Sequence, residues 1–148
     1  MKARFETFTV LIAKISKAIR RIKAEEMSEF NLKSSHVSCL YYLYKLKTVT
    51  AKELCDVCEE DKAAVSRSIE CLEKQGFLIR GVKTQKAYKS PIELTEKGKI
   101  VAEKISQKID RVLKDTRRGI DEQDLIKLYE GLSIISKNLQ EICDNYQD

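Results

Sequence analysis

Between positions 80 and 91 the chain reads RGVKTQKAYKSP, with Arg80, Lys83, Lys86 and Lys89 spaced three apart and no acid among them. Like charges this close repel one another and contribute little to a core. A polyanion resolves the repulsion, because each phosphate neutralised by a lysine or arginine releases a counterion and so adds affinity for nucleic acid. Just upstream, residues 61–75 hold a second set. On a wheel of 100° per residue, Val65, Ile69 and Leu72 fall in one sector; Ala63, Arg67, Glu70 and Lys74 fall opposite, with Lys62 and Ser66 flanking the N-terminal end. Small side chains let such a helix approach a DNA major groove, and a guanidinium fork reaches guanine or a phosphate. Taken alone, the same face also suits an ordinary solvated helix.

Other residue sets point to weaker chemistry. Cys55 and Cys58 form a C-x-x-C, but on a helix both lie on the inward side with Leu54 and Val57, where a thiol behaves as a small hydrophobe. A zinc site needs two more ligands, and only Cys39, Cys71 and His36 are candidates, so no metal is expected. A low-pKa sensor thiol needs a basic neighbour, and neither Cys39 nor Cys143 has an evident one. His36 stands just inside a helix start, as a surface or cap histidine does. Tyr41 and Tyr44 share a face, which suits either core packing or the wall of a small-molecule cleft. No glycine-rich phosphate loop and no G-x-S-x-G occurs, so no enzymatic activity and no cofactor are expected.

The elements that must position these residues follow from spacing. The chain has 148 residues, 43% hydrophobic and 34% charged, with one proline and five glycines: a helix-rich, one-domain profile. Five cysteines fit a reducing interior better than a disulfide framework, and no run is apolar enough for a membrane span or signal peptide, so the expected location is cytoplasmic. Phe5, Phe8, Ile12, Ile15, Ile19 and Ile22 repeat at alternating steps of three and four, as do Leu125, Leu128, Leu132, Ile135, Leu139 and Ile142. This is the seam of a helix packed along another helix. Residues 1–23 carry seven cations against one acid, and residues 121–148 two against seven, so the two helices are electrostatically suited to lie together. They can do so within one chain or, as expected here, in an intertwined homodimer with Phe5, Phe8, Ile12, Ile15, Leu132, Ile135, Leu139 and Ile142 in the interface.

Between the ends the elements are short. Ser34 or Ser35 can cap a helix carrying Val37, Leu40 and Tyr44 on one face. Thr50 and Glu53 form a capping box opening a helix of barely two turns. Asp61 caps the next helix, which stops at Gly76. Residues 77–79 read as a strand, with Tyr88, Ser90, Ile92 and Leu94 alternating as its partner. Thr95 caps a long helix through Val101, Ile105, Ile109 and Val112. The predicted order is α-α-α-α-β-β-α-α: mainly α with a small β-hairpin. The expected organisation is an N-terminal dimerisation helix (1–30), a winged helix-turn-helix (31–97) and C-terminal dimerisation helices (98–148). A short capped helix, a tight connection, a helix with a small polar front and a basic hairpin make that winged unit.

The stretch TAKELCDVCEEDKAAVSRSIECLEKQGFLIR, followed by a basic loop and IELTEKGK, resembles the MarR family of winged helix-turn-helix regulators. The resemblance extends over nearly the whole chain. It implies a homodimer joined by its terminal helices, a recognition helix at 61–75, and a cleft between the two regions for a small effector that releases DNA. One departure stands out. Many members carry an Asp-Arg-Arg wing motif, whereas here the wing reads Lys86-Ala87-Tyr88-Lys89, and an ammonium is a more diffuse contact than a planar guanidinium. The expected function is a sequence-specific double-stranded DNA-binding regulator, an effector-responsive repressor on a pseudo-palindromic operator. Lys62, Ala63, Ser66 and Arg67 would face the groove; Thr50, Lys52, Arg80, Lys83, Lys86 and Lys89 would hold phosphates or enter the minor groove; His36, Tyr41 and Tyr44 would serve the effector cleft. A winged-helix protein-interaction module without DNA binding, or a thiol- or metal-sensing relative, are the alternatives.

Overall fold

The structure, a computed structural model, describes residues 4–58, 60–81 and 90–146. Its elements are α1 (Arg4–Met27), a short 3-10 turn (Ser28–Phe30), α2 (Ser34–Leu46), β1 (Val49–Thr50), α3 (Ala51–Val57), α4 (Lys62–Lys74), β2 (Leu78–Arg80), β3 (Pro91–Leu94), α5 (Glu96–Thr116) and α6 (Glu122–Asp144). Met1–Ile109 and Asp110–Asp148 form two compact units. No helix among the described residues is long and apolar enough to cross a membrane.

The core of the first unit gathers Leu40 and Leu43 from α2, Leu54 from α3, Val65 and Leu72 from α4, Leu78 and Ile92 from the sheet and Ile105 from α5, all fully buried. Burial of whole leucine and isoleucine side chains, each removing apolar surface from water, holds these short elements together. The local signals act as expected at most ends. Thr50 Oγ1 accepts the Glu53 N–H at 3.2 Å, and Glu53 Oε2 accepts the Thr50 N–H at 2.7 Å. Asp61 Oδ1 accepts the Ala64 N–H at 2.8 Å. After α4, Gly76 takes φ +76°, a conformation that favours glycine, and its N–H donates to the Glu73 carbonyl.

Three expectations need correction. The hairpin is part of a three-stranded antiparallel sheet of order β1-β3-β2, with Val49 opposite Ile92 and Leu78 opposite Leu94. β1 is two residues long, too short to show a period. β2 runs from Leu78 to Arg80 and does not include Phe77, whose carbonyl accepts the Thr95 N–H at 3.0 Å at the foot of α5. Neither Ser34 nor Ser35 caps α2: Lys33 occupies that position and contributes no side-chain bond, while the Ser35 hydroxyl accepts from Ser68 Oγ at 2.8 Å. In β3 the expected alternation holds, with Ile92 and Leu94 buried between exposed Pro91 and Glu93; Tyr88 lies outside the described residues.

The junction of α4, β2 and α5 is tightly tied. Thr95 Oγ1 accepts the Gly98 N–H at 3.0 Å and donates to the Gly76 carbonyl at 2.6 Å. Lys97 Nζ donates to the Gln75 carbonyl at 2.8 Å and lies 4.6 Å from the Phe77 ring centre. Position 98 accepts only glycine, since a Cβ there would collide with the Phe77 carbonyl. The end of α4 and the base of the hairpin are thereby fixed to one another.

The terminal helices differ from this core. Ile12, Ile15, Ile19 and Ile22 of α1 are exposed, and Phe8 is half-buried; the side chain of Phe5 lies outside the described set. In α6, Leu128, Ile135, Leu139 and Ile142 are exposed, with Leu125 and Leu132 half-buried.

Candidate nucleic-acid interface

α4 turns Val65, Ser68, Ile69 and Leu72 into the core and leaves Lys62, Ala63, Ser66 and Arg67 exposed. The four residues expected to face a groove thus share the outer side of one helix. That side is small at its start, so a helix-sized approach to base edges is sterically open. The N-terminus of α4 is closed by the Asp61 carboxylate, so contact with a phosphate there falls to the exposed side chains of Lys62 and Ser66.

A groove of about 740 Å3 runs beside this helix and brings together residues that are far apart in sequence: Lys52 and Asp56 from α3, Lys62 and Ser66 from α4, and Arg80 from β2. Lys52, Lys62 and Arg80 stand against Asp56 in its lining, so the groove wall is net basic. Lys52 is exposed. Two members of the expected set are engaged elsewhere. The Thr50 hydroxyl donates to Glu53 Oε2 at 2.9 Å while accepting the Glu53 N–H, so it serves the cap; the Thr50 backbone N–H, and then its hydroxyl, hold the Glu53 carboxyl below its usual range. Arg80 Nε sits 3.1 Å from Glu73 Oε2, an ion pair without the alignment of a hydrogen bond, so this cation of the wing base has an acid beside it. Lys83, Lys86 and Lys89 lie outside the described residues.

The thiols are arranged for packing. Cys39 and Cys58 are buried and hydrogen-bonded to each other; that bond, and then burial, push the Cys39 thiol far up. Burial, with Cys58 and Asp56 nearby, also raises the Cys55 thiol against the opposing pull of Lys62. Reactive thiols need the opposite shift. Cys58 turns inward as expected, whereas Val57 is exposed because α3 ends there. No cluster of three or more potential metal ligands occurs among the described residues.

A second cavity, about 750 Å3, opens between α1 and the start of α2. Ile12, Ile15, Ile19 and Met27 supply one apolar wall and Leu32 and Val37 the other, with Arg20, Lys23 and Glu60 bringing charge. His36, Tyr41 and Tyr44 are not among the residues that line it. His36 is buried, with no partner for Nδ1 among the described residues, and burial followed by Lys33 lowers its imidazole pKa. Tyr41 and Tyr42 pack edge to face at 5.2 Å, Lys45 Nζ lies 5.5 Å from the Tyr41 ring centre, and both tyrosines and Tyr44 lean on the core. Sequence reasoning missed Arg20 and Lys23 as cavity residues. Their spacing places them beside Ser16, Ile19 and Met27 on α1, but a helical period does not say that this side walls a cavity.

No family model matches the chain, and no curated protein matches it. Solved structures do. NMB1585, a MarR family regulator from Neisseria meningitidis, superimposes with a TM-score of 0.83 at 17% identity, covering 97% of this chain and 98% of the other. MepR of S. aureus, in a DNA-binding conformation, gives 0.80 at 19% identity over 89% and 98%. The organohalide-sensing regulator RdhR-CbdbA1625 gives 0.72 at 22% identity over 93% and 82%. These superpositions extend over nearly the whole chain, and the chain has the winged-helix fold of the MarR-family transcriptional regulators.

Proposed function

We propose that this chain is a homodimeric transcriptional regulator that reads a pseudo-palindromic duplex operator and represses until an effector binds. The observation that carries the reading is the outer side of α4, with Lys62, Ala63, Ser66 and Arg67 together above the basic groove of Lys52 and Arg80. Arg67 is the residue for bidentate contact with a guanine or a phosphate, and Ser66 and Ala63 allow close approach. Lys52, with Lys83, Lys86 and Lys89 of the wing, supplies phosphate contacts, and Arg80, braced by Glu73, holds the base of that wing. Thr50 acts through the cap that fixes α3.

The exposed seams of α1 and α6 are the surfaces through which two copies join, placing two recognition helices about one DNA turn apart. The effector cleft is the cavity between α1 and α2, apolar with Arg20 and Lys23 against Glu60, a net positive lining that suits an amphipathic anion. Support by likeness comes from MepR, which has been solved in complex with DNA, and from RdhR-CbdbA1625, solved in a 2,4-dichlorophenol-bound form.

Selection of bound duplexes from a random pool tests the reading. A palindromic consensus, bound with affinity that falls steeply as salt rises, is expected. Indifference to duplex DNA at low ionic strength overturns it and leaves a protein-interaction module.

A further inference from the structure

The first turn of α2 faces two ways. Ser34 and Val37 line the α1–α2 cavity, while Ser35 between them accepts a hydrogen bond from Ser68 of α4 at 2.8 Å. Ser68 is 2% exposed and adjoins Arg67, so its seat fixes where the neighbouring guanidinium starts. We propose that the Ser35–Ser68 hydrogen bond positions the recognition helix for base reading and carries the state of the cavity to it. The proposal rests on the DNA-binding reading above and names the route of regulation within it.

The turn has a competing arrangement available. Lys33 stands at the cap of α2 without a side-chain bond, so the first N–H groups of the helix lack a side-chain acceptor. If the helix starts at residue 36 instead, Ser35 becomes its cap and its hydroxyl turns to the backbone N–H groups ahead. A serine cap and a buried hydroxyl pair contribute stabilisation of the same order, so the cap gained at the later start offsets the Ser35–Ser68 bond it gives up. The observed start carries an internal cost, because the buried His36 Nδ1 has no partner among the described residues. An occupant pressing on Ser34 and Val37 favours the alternative, Ser35 leaves Ser68, and the Ser68 hydroxyl turns back to a carbonyl of its own helix, which removes the α2–α4 bond that seats Arg67. Two discrete arrangements biased from one site are what coupling between sites requires.

The experiment uses the full-length chain and a duplex recovered by selection. Ser68→Ala should lower affinity for that duplex about tenfold while leaving affinity for random duplex unchanged, and Ser68→Thr, which keeps the hydroxyl, should restore most of it. Ala24→Trp places an indole in the cavity as a covalent occupant. It should lower operator affinity about tenfold in the wild-type background and by less than about twofold more in Ser68→Ala. Leu32→Phe fills the cavity from the other wall and replaces Ala24→Trp if that variant loses its circular dichroism or its oligomeric state. Equal loss on operator and random duplex, no rescue by threonine, or additive losses in the double variant would each overturn the proposal. Failure to select any duplex would instead overturn the DNA-binding reading itself.

Discussion

In α4, Val65, Ile69 and Leu72 are no more than 2% exposed, whereas in α1 the equally regular Ile12, Ile15, Ile19 and Ile22 are between 39% and 52% exposed. Both helices carry a well-defined apolar stripe, so the difference lies in what each stripe has to pack against. The α4 stripe meets α2, α3 and the sheet within its own unit. The α1 stripe, and that of α6, retains open apolar surface in the single chain, more than isolated surface hydrophobes require. A helix seam at coiled-coil spacing that remains open asks for another helix. In the proposed homodimer the winged core is self-sufficient, and the terminal helices are the part that assembly completes.

The largest expected effect attacks that second region. Ile15→Asp and Leu139→Asp each place a carboxylate in a seam and should yield monomers with an unchanged α4. Losing the second half-site lowers operator affinity on the order of 100-fold or more, since the linked second contact is lost. Sedimentation and duplex titration check this together; a variant that stays dimeric with its affinity intact breaks the comparison. The converse change, Leu72→Ala, empties a fully buried site and should cost about 2–5 kcal/mol of unfolding free energy in denaturant melts, with the oligomeric state retained. If dissociation precedes unfolding in that variant, the core and the seams are not separable.

Next in size is Arg67→Ala, on the exposed side of α4. It should cost about 1–3 kcal/mol on the selected operator and relax discrimination at one position in each half-site. Stability should barely change, because the side chain is exposed. An unaltered consensus after reselection would remove Arg67 from base reading and shift that task to Lys62 and Ser66.

The two regions also differ in how far sequence discloses them. Ends set by local chemistry were legible: Thr50 with Glu53, Asp61 with Ala64, Gly76, and Thr95 with Gly98 all act within a few residues of themselves. What escaped depends on distant partners. β1 exists only because Val49 and Thr50 meet β3, and Ser35 fails to cap α2 because Ser68 takes its hydroxyl. The α4 wheel foretold its burial, except that Ser68 is buried too, a polar residue admitted by its single hydrogen bond. The α1 stripe was read as a dimer seam alone, and nothing in a periodic pattern says that Ile12, Ile15 and Ile19 also wall a cavity. Arg80 was grouped with the wing lysines as an unpaired cation, yet the fold returns Glu73 to its side.

The smallest expected effect concerns the join between those regions, at His36. Burial, with Lys33 nearby, lowers the imidazole pKa below its ordinary 6.5, so the folded chain favours the neutral ring. The stability this group contributes is fully present above about pH 6.5 and is lost as pH falls from there through the lowered folded value. Glu53, whose carboxyl is also lowered by its bonds to Thr50, acts in a separate window, losing its contribution as pH falls below about 4.5. Thermal melts between pH 7.5 and 5.5 should therefore show a small decline in wild type that His36→Gln flattens, with the Glu53 window beneath it unchanged. A decline of equal slope in His36→Gln would mean that the first turn of α2 is no softer toward protonation than the core it adjoins.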